Sequence, residues 1–245
     1  KEVLLRLDKA LAHNFELSRS EAVKFIKTGS VTVDGTVICD PGFKISKSSV
    51  LSLDGMSVDV SEGFESRVFM LNKPEGYVCA ATDSRNPSVI SLLSDLPRYS
   101  TLHCVGRLDL DTTGLLLITD DGDLNHRICA PRSGVTKTYR ATLLKPVSND
   151  YIPLFERGLK HPEEKQRYKS AMLELVGENE ALVTVTEGRF HEVKRMFECV
   201  GNEVVGLERL YIGRLRLDPN LEPGEYLKLD AYSVQQVFSP YQRSQ

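Results

Sequence analysis

The stretch Gly106-Arg107-Leu108-Asp109-Leu110-Asp111-Thr112-Thr113-Gly114, running straight into Leu115-Leu116-Leu117-Ile118, decides how the chain is read. Two carboxylates stand in a loop bounded by glycines. The loop opens into an apolar run that reads as a buried strand, closed by the turn Asp120-Asp121-Gly122. Loops held by a rigid strand are where catalytic groups concentrate, and paired carboxylates can act as nucleophile, acid or base. The plainest alternative is that Asp and Thr merely cap a turn by bonding nearby backbone N–H groups.

Working outward, strands are expected at Val68–Asn72, Leu115–Thr119, Lys137–Leu144, Ala171–Val176 and Ala181–Thr186, interleaved with short helices. The absence of regular β-α-β spacing predicts an α+β domain over residues 67–245 around a mainly antiparallel sheet. A helix from about 190 to 200 buries Val193, Met196, Phe197 and Val200, leaving His191, Lys194, Arg195 and Glu198 on its other side. The polar residues 61–66 read as a linker. Ahead of it, residues 1–60 form a small α/β domain. Leu7, Ala10 and Leu11 mark a helix over about 6 to 14, and Ser18 with Glu21 forms a capping box for a second helix that ends before Gly29. Ala22, Val23 and Ile26 are its buried stripe. Val31–Val33 and Thr36–Ile38 flank Asp34-Gly35, a dipeptide suited to a two-residue hairpin turn, and Val50–Leu53 offers a third strand.

The 245 residues, 41% of them hydrophobic, suffice for one sizeable core and a satellite. Thirty-one Lys and Arg against 34 Asp and Glu leave a net charge of -3, so any nucleic-acid contact must be a local patch. Arg19, Lys24 and Lys27, beside Ser20, form such a patch. The five cysteines are scattered without a C-x-x-C pair, which points to reduced thiols rather than disulfides or zinc. The histidines at 13, 103, 126, 161 and 191 lack ligand spacing, so no metal and no Ser-His-Asp site is expected, and His103 and His126 read as structural. Neither G-x-x-x-x-G-K-[ST] nor G-x-G-x-x-G after a strand occurs, so no nucleotide or flavin cofactor is expected. No apolar run approaches a membrane span, and the start Lys1-Glu2-Val3-Leu4-Leu5 is too short and too acidic for a signal peptide. The expectation is a soluble, cytoplasmic protein.

Three resemblances bear on these segments. Asp109-x-Asp111-x-Thr113 resembles the nucleophile motif of haloacid dehalogenase-like phosphatases, but Gly106-Arg107 separates it from any preceding strand and the downstream Lys and acidic motifs are missing. Arg6-Leu7-Asp8-Lys9, Ser18–Ala22 and Gly29–Gly35 resemble the small RNA-binding domain named after ribosomal protein S-four. That resemblance implies phosphate contacts from Arg6, Lys9, Arg19, Lys24 and Lys27. The long string G-R-L-D-x-D-T-T-G-L-L-L-x-T-D-D-G resembles the signature of RsuA-type pseudouridine synthases, which modify small-subunit ribosomal RNA. The likeness extends to Asn72-Lys73-Pro74-x-Gly76-Tyr77, Lys137-Thr138-Tyr139 and Glu187–Met196, nearly the whole chain.

The third resemblance implies Asp109 as the catalytic carboxylate of a cofactor-free isomerisation. The carboxylate would attack ribose carbon 1′, attack uracil carbon 6, or remove a sugar proton. Lys194 would hold its charge, Tyr139 would stack on the target base, and Arg107 would hold RNA around the extruded nucleotide, with Arg195 as a further contact. Asp111 would orient the loop. The family usually has arginine at Lys194 and glutamine at Glu192, which makes the cation a point charge rather than a fork and alters the neighbouring contact. The partner implied is ribosomal RNA. Small-subunit RNA is favoured because Gly106–Gly114 and Phe190–Phe197 look closer to that branch than to the large-subunit enzymes. The rival from another class is a non-catalytic RNA-binding or ribosome-assembly protein, which would have no use for Asp109.

Overall fold

The computed structural model describes residues 4–60, 66–80 and 83–243, so all of the expected linker except Ser66 lies outside the described residues. The chain divides into two compact units, Lys1–Ser66 with Ser94–Leu102, and Arg67–Leu93 with His103–Gln245. No helix among the described residues is long and apolar enough to cross a membrane.

In the smaller unit the elements run β1 (Leu5–Arg6), α1 (Leu7–Asn14), α2 (Arg19–Lys27), β2 (Val31–Val33), β3 (Thr36–Val37), β4 (Lys44–Ile45), β5 (Val50–Leu53) and β6 (Met56–Asp59). The capping box forms in both directions: Glu21 N donates to Ser18 Oγ at 3.2 Å and Ser18 N to the Glu21 carboxylate at 2.8 Å. Leu7, Ala10 and Leu11 of α1 pack on Ala22 and Ile26 of α2, and the pair covers Val31 and Leu51 of an antiparallel sheet ordered β3-β2-β5-β6. At the hairpin tip Asp34 and Gly35 both have positive φ, 50° and 81°, as a two-residue turn matched to strand twist requires.

The larger unit contains β7 (Val68–Lys73), β8 (His103–Val105), β9 (Thr113–Thr119), α3 (Gly122–Cys129), β10 (Lys137–Leu143), α4 (Tyr151–Arg157), β11 (Met172–Leu175), β12 (Glu180–Val185), α5 (Glu192–Glu198), β13 (Val204–Ile212), β14 (Leu215–Arg216), β15 (Tyr226–Lys228) and α6 (Ala231–Gln236). Its main sheet is ordered β11-β12-β10-β13-β9-β7-β15, with β14 added to β13 and β8 to β9. The pairings are antiparallel except β9 with β13. The fold is thus α+β, as expected. The strands that periodicity fails to reveal are the short β8, β14 and β15 and the longest in this sheet, β13, whose alternation is broken by Gly206 and the charged pair Glu208-Arg209.

The parallel junction joins two halves with separate cores. On one side Phe155 of α4 and Val193, Met196 and Phe197 of α5 pack against β10, β11 and β12, with the Phe155 and Phe197 ring centroids 5.0 Å apart. On the other, Leu115 and Leu117 of β9 pack with Leu124 and Ile128 of α3 and with Val237. At the junction Glu208 pairs with Thr113 and Arg209 with Gly114. Gly114 has φ +102°, and a Cβ there would lie 2.3 Å from the Arg209 carbonyl oxygen and 2.8 Å from its nitrogen. The motif therefore ends in glycine because two backbones touch where it enters the sheet. Gly114→Ala is expected to destabilise the protein by about 3 kcal/mol or more, from left-handed strain plus backbone overlap. Urea denaturation checks it, and a midpoint unchanged from wild type would refute this account of the junction.

Candidate active site

The sequence places the two carboxylates between β8 and β9, and the tertiary structure fixes their loop from below. Lys73 ends β7, beside the start of β9, with its side chain fully buried. Its amine donates to three backbone carbonyls: Thr112 at 2.8 Å, Pro74 at 3.0 Å and Leu110 at 3.3 Å. Burial depresses its pKa, while the charges of Cys79, Asp111 and Asp109 work in the opposite sense. Thr112 N closes a turn onto the Asp109 carbonyl at 3.0 Å, and Gly76 N donates to the Leu110 carbonyl at 3.0 Å. The Cys79 sulfur accepts from Leu108 N at 3.3 Å. Sequence reading gave Lys73 and Cys79 no role. The available signal is a lysine at the end of a strand that opens with the apolar run Val68–Leu71.

Asp109 lines a cavity of about 360 Å³ whose other walls include Arg107, Thr112, Tyr139, Glu187, Phe190, His191, Glu192 and Lys194. The Lys194 amine, on the first turn of α5, lies 2.8 Å from Asp111 Oδ1 and 3.4 Å from Asp109 Oδ2. One cation thus bridges both carboxylates of the motif. Burial alone would lower the Lys194 pKa, but the hydrogen bond to Asp111 and the charge of Asp109 raise it above the ordinary lysine value. The bond to Lys194 holds the Asp111 carboxyl below its usual range. The sequence places His191 on the polar side of a helix, within Glu187–Met196, and assigns it no role. It is the residue preceding α5, with φ 46°, and its Nε2 lies 3.4 Å from Asp109 Oδ2. The helix begins at Glu192 rather than 190 because His191 adopts a left-handed conformation.

Of the other expected residues, Tyr139 on β10 lines the cavity with the buried Arg209 guanidinium 6.0 Å from its ring. Arg107 lines it too and is exposed. Arg195 does not line it. Its guanidinium is held by Glu164 at 2.6 Å and Glu163 at 3.1 Å, and Glu164 also pairs with Arg189. In the smaller unit the buried Asp8 carboxylate accepts from Arg6 at 2.9 Å and from Arg19 at 3.4 Å. Burial would raise the Asp8 pKa, but the two arginines bring it below the usual value. Lys24 and Lys27 are exposed on α2, and Lys9 is half-buried.

Glu192 is 6% exposed and accepts a hydrogen bond from Arg189 N at 3.1 Å. Burial, reinforced by the neighbouring Glu187 carboxyl, lifts its pKa to about 7. A protonated Glu192 presents the uncharged hydrogen-bonding end that glutamine would. Because the folded pKa lies above the unfolded one, the folded state binds the extra proton, so stability falls as pH rises from the unfolded carboxyl pKa through about 7. Glu192→Gln is therefore expected to raise the melting temperature at pH 8 and to change it little at pH 5. Equal effects at both values would show that Glu192 is ionised in the folded protein throughout.

Residues 67–199 match the RNA pseudouridylate synthase family and residues 5–51 the S4 domain. The chain is 44% identical over 233 residues to a protein of Salmonella typhimurium named ribosomal small subunit pseudouridine synthase A, covering 95% of this chain and all of that one. The protein of the same name from Vibrio cholerae is 41% identical, over 96% of this chain and all of its own. A crystal structure of a pseudouridylate synthase, 39% identical, superposes with a TM-score of 0.68 over 95% of this chain and 99% of the other.

Proposed function

Since the chain belongs to the RNA pseudouridylate synthase family and carries an S4 domain, we propose that it converts a uridine of small-subunit ribosomal RNA to pseudouridine, with Asp109 as the catalytic carboxylate. The observation that carries this reading is the position of Asp109 on the cavity wall, with Lys194 and His191 each 3.4 Å from the same carboxylate oxygen. The reaction breaks the bond between ribose carbon 1′ and uracil nitrogen 1 and forms one from carbon 1′ to carbon 5. Carbon 5 gives up a proton and nitrogen 1 gains one. Atoms and electrons balance within the nucleotide, so the chemistry calls for no cofactor.

The carboxylate must stay ionised while RNA displaces water from the cavity. Lys194 supplies the opposing charge, and Asp111 keeps that amine in place from its other side. Tyr139, which also lines the cavity, offers its ring to the uracil, and the exposed Arg107 meets a phosphate as the nucleotide leaves its stack. On α2, Lys24 and Lys27 bind the phosphates of folded RNA, with Arg6, Lys9 and Arg19 beside them. The names of the relatives support the small subunit as target, and the cytoplasm is where such RNA would be met.

Unmodified small-subunit and large-subunit ribosomal RNA, incubated separately with the protein in EDTA and mapped by carbodiimide labelling and primer extension, test this directly. A new stop in the small-subunit RNA is expected; no stop in either, as naked RNA or as ribosomal particles, would refute the proposal. Asp109→Asn should lower turnover by about a thousandfold or more while RNA affinity is kept, since charge is lost with little change of volume. Unchanged turnover would remove Asp109 from the chemistry. Changing Lys24 and Lys27 together to Ala should weaken binding and reduce the slope of log affinity against log salt by roughly 0.7 to 0.9 for each lost phosphate contact. An unchanged slope would mean that this helix face is only solvated.

A further inference from the structure

Phe190 is 65% exposed, although it sits at the wall of the cavity that holds Asp109. An exposed phenylalanine gains nothing for the fold, yet this one is ordered by its surroundings. Its ring stacks on that of His191, with centroids 3.8 Å apart and planes 17° from parallel. The Arg195 guanidinium stands 5.2 Å from the Phe190 centroid. Arg195 is itself fixed by Glu164 and Glu163, and Glu164 also holds Arg189. His191, the lower member of the stack, touches Asp109 through Nε2. The result is an exposed aromatic stack beside the Asp109 carboxylate, with the ion-paired Arg195 against its Phe190 ring.

We propose that the Phe190–His191 stack is a subsite for an unpaired nucleobase of the RNA other than the target uridine. This subsite rests on the reading of the protein as an RNA-modifying enzyme and sharpens it. Two properties select a nucleobase as occupant. A flat, apolar, already stacked ring pair extends naturally by one more planar ring, and stacking tolerates any base because each presents a π face. The platform is already ordered by Arg195 and its two glutamates, so little side-chain freedom remains to be lost when the base arrives. A target nucleotide turned out of its helix leaves neighbours whose own stacking is broken, and the platform offers one of them a replacement surface.

Because the chain has no tryptophan, Phe190→Trp introduces a single fluorescent reporter at the platform. Its emission should be quenched as small-subunit ribosomal RNA transcript is added, in parallel with binding followed by gel mobility. RNA that binds without quenching overturns the subsite. With the same transcript, Phe190→Ala should raise KM by about 5- to 100-fold, the range expected for one lost stacking contact, with kcat much less affected. Phe190→Tyr should restore KM, which a purely structural role for the aromatic ring would not separate from kcat. A KM for Phe190→Ala equal to that of wild type also overturns the subsite. Quenching by RNA in a protein whose wild-type form isomerises no uridine would support the base subsite while refuting the proposed activity.

Discussion

Lys73 carries an amine beneath the loop that bears Asp109, where its side chain is shut off from solvent. Burying an ammonium without partners costs several kcal/mol, and here the partners are main-chain carbonyls, two from the loop itself and one from Pro74. The carbonyls of Leu110 and Thr112 must turn inward to meet it. That requirement sets the backbone from which Asp109 and Asp111 project. Loop conformation and the stability of the buried lysine are a single condition.

A second constraint lies two residues beyond the loop, at Gly114. The two cores of the larger unit meet where β9 runs parallel to β13, and the approach at Gly114 leaves no room for a side chain. The carboxylates enter from the β9 side of this junction, while Tyr139 comes from β10 and Lys194 from α5 on the other. The cavity is assembled across the seam, so its geometry depends on the closeness of two backbones.

Charge is distributed by the same logic in both units. Lys194 bridges two carboxylates, and Asp8 gathers two arginines. Each is a less accessible group that orients more exposed groups of opposite sign, which keeps those charges in place with little further loss of side-chain freedom. Glu192 follows a different course. Burial, reinforced by its neighbour Glu187, lifts its pKa to about 7 against the pull of the Arg189 charge.

The sequence by itself determined what depends on local patterns. The capping box at Ser18, the Asp34-Gly35 turn, the apolar run of β9 and the buried stripe of α5 are each fixed by neighbouring residues, and all could be read directly. The long motif likewise singled out Asp109 and the family. Tertiary structure alone decided the rest. It placed β13, whose alternation is broken by Gly206 and Glu208-Arg209, at the centre of the sheet, and it put Lys73 under the loop across 39 residues from Thr112. It brought His191 to Asp109 and turned Arg195 toward Glu163 and Glu164. The physical reason is that helix and turn signals are written in residues a few positions apart. A buried amine, a shared cation and a close backbone approach are instead satisfied by partners that only folding brings into reach.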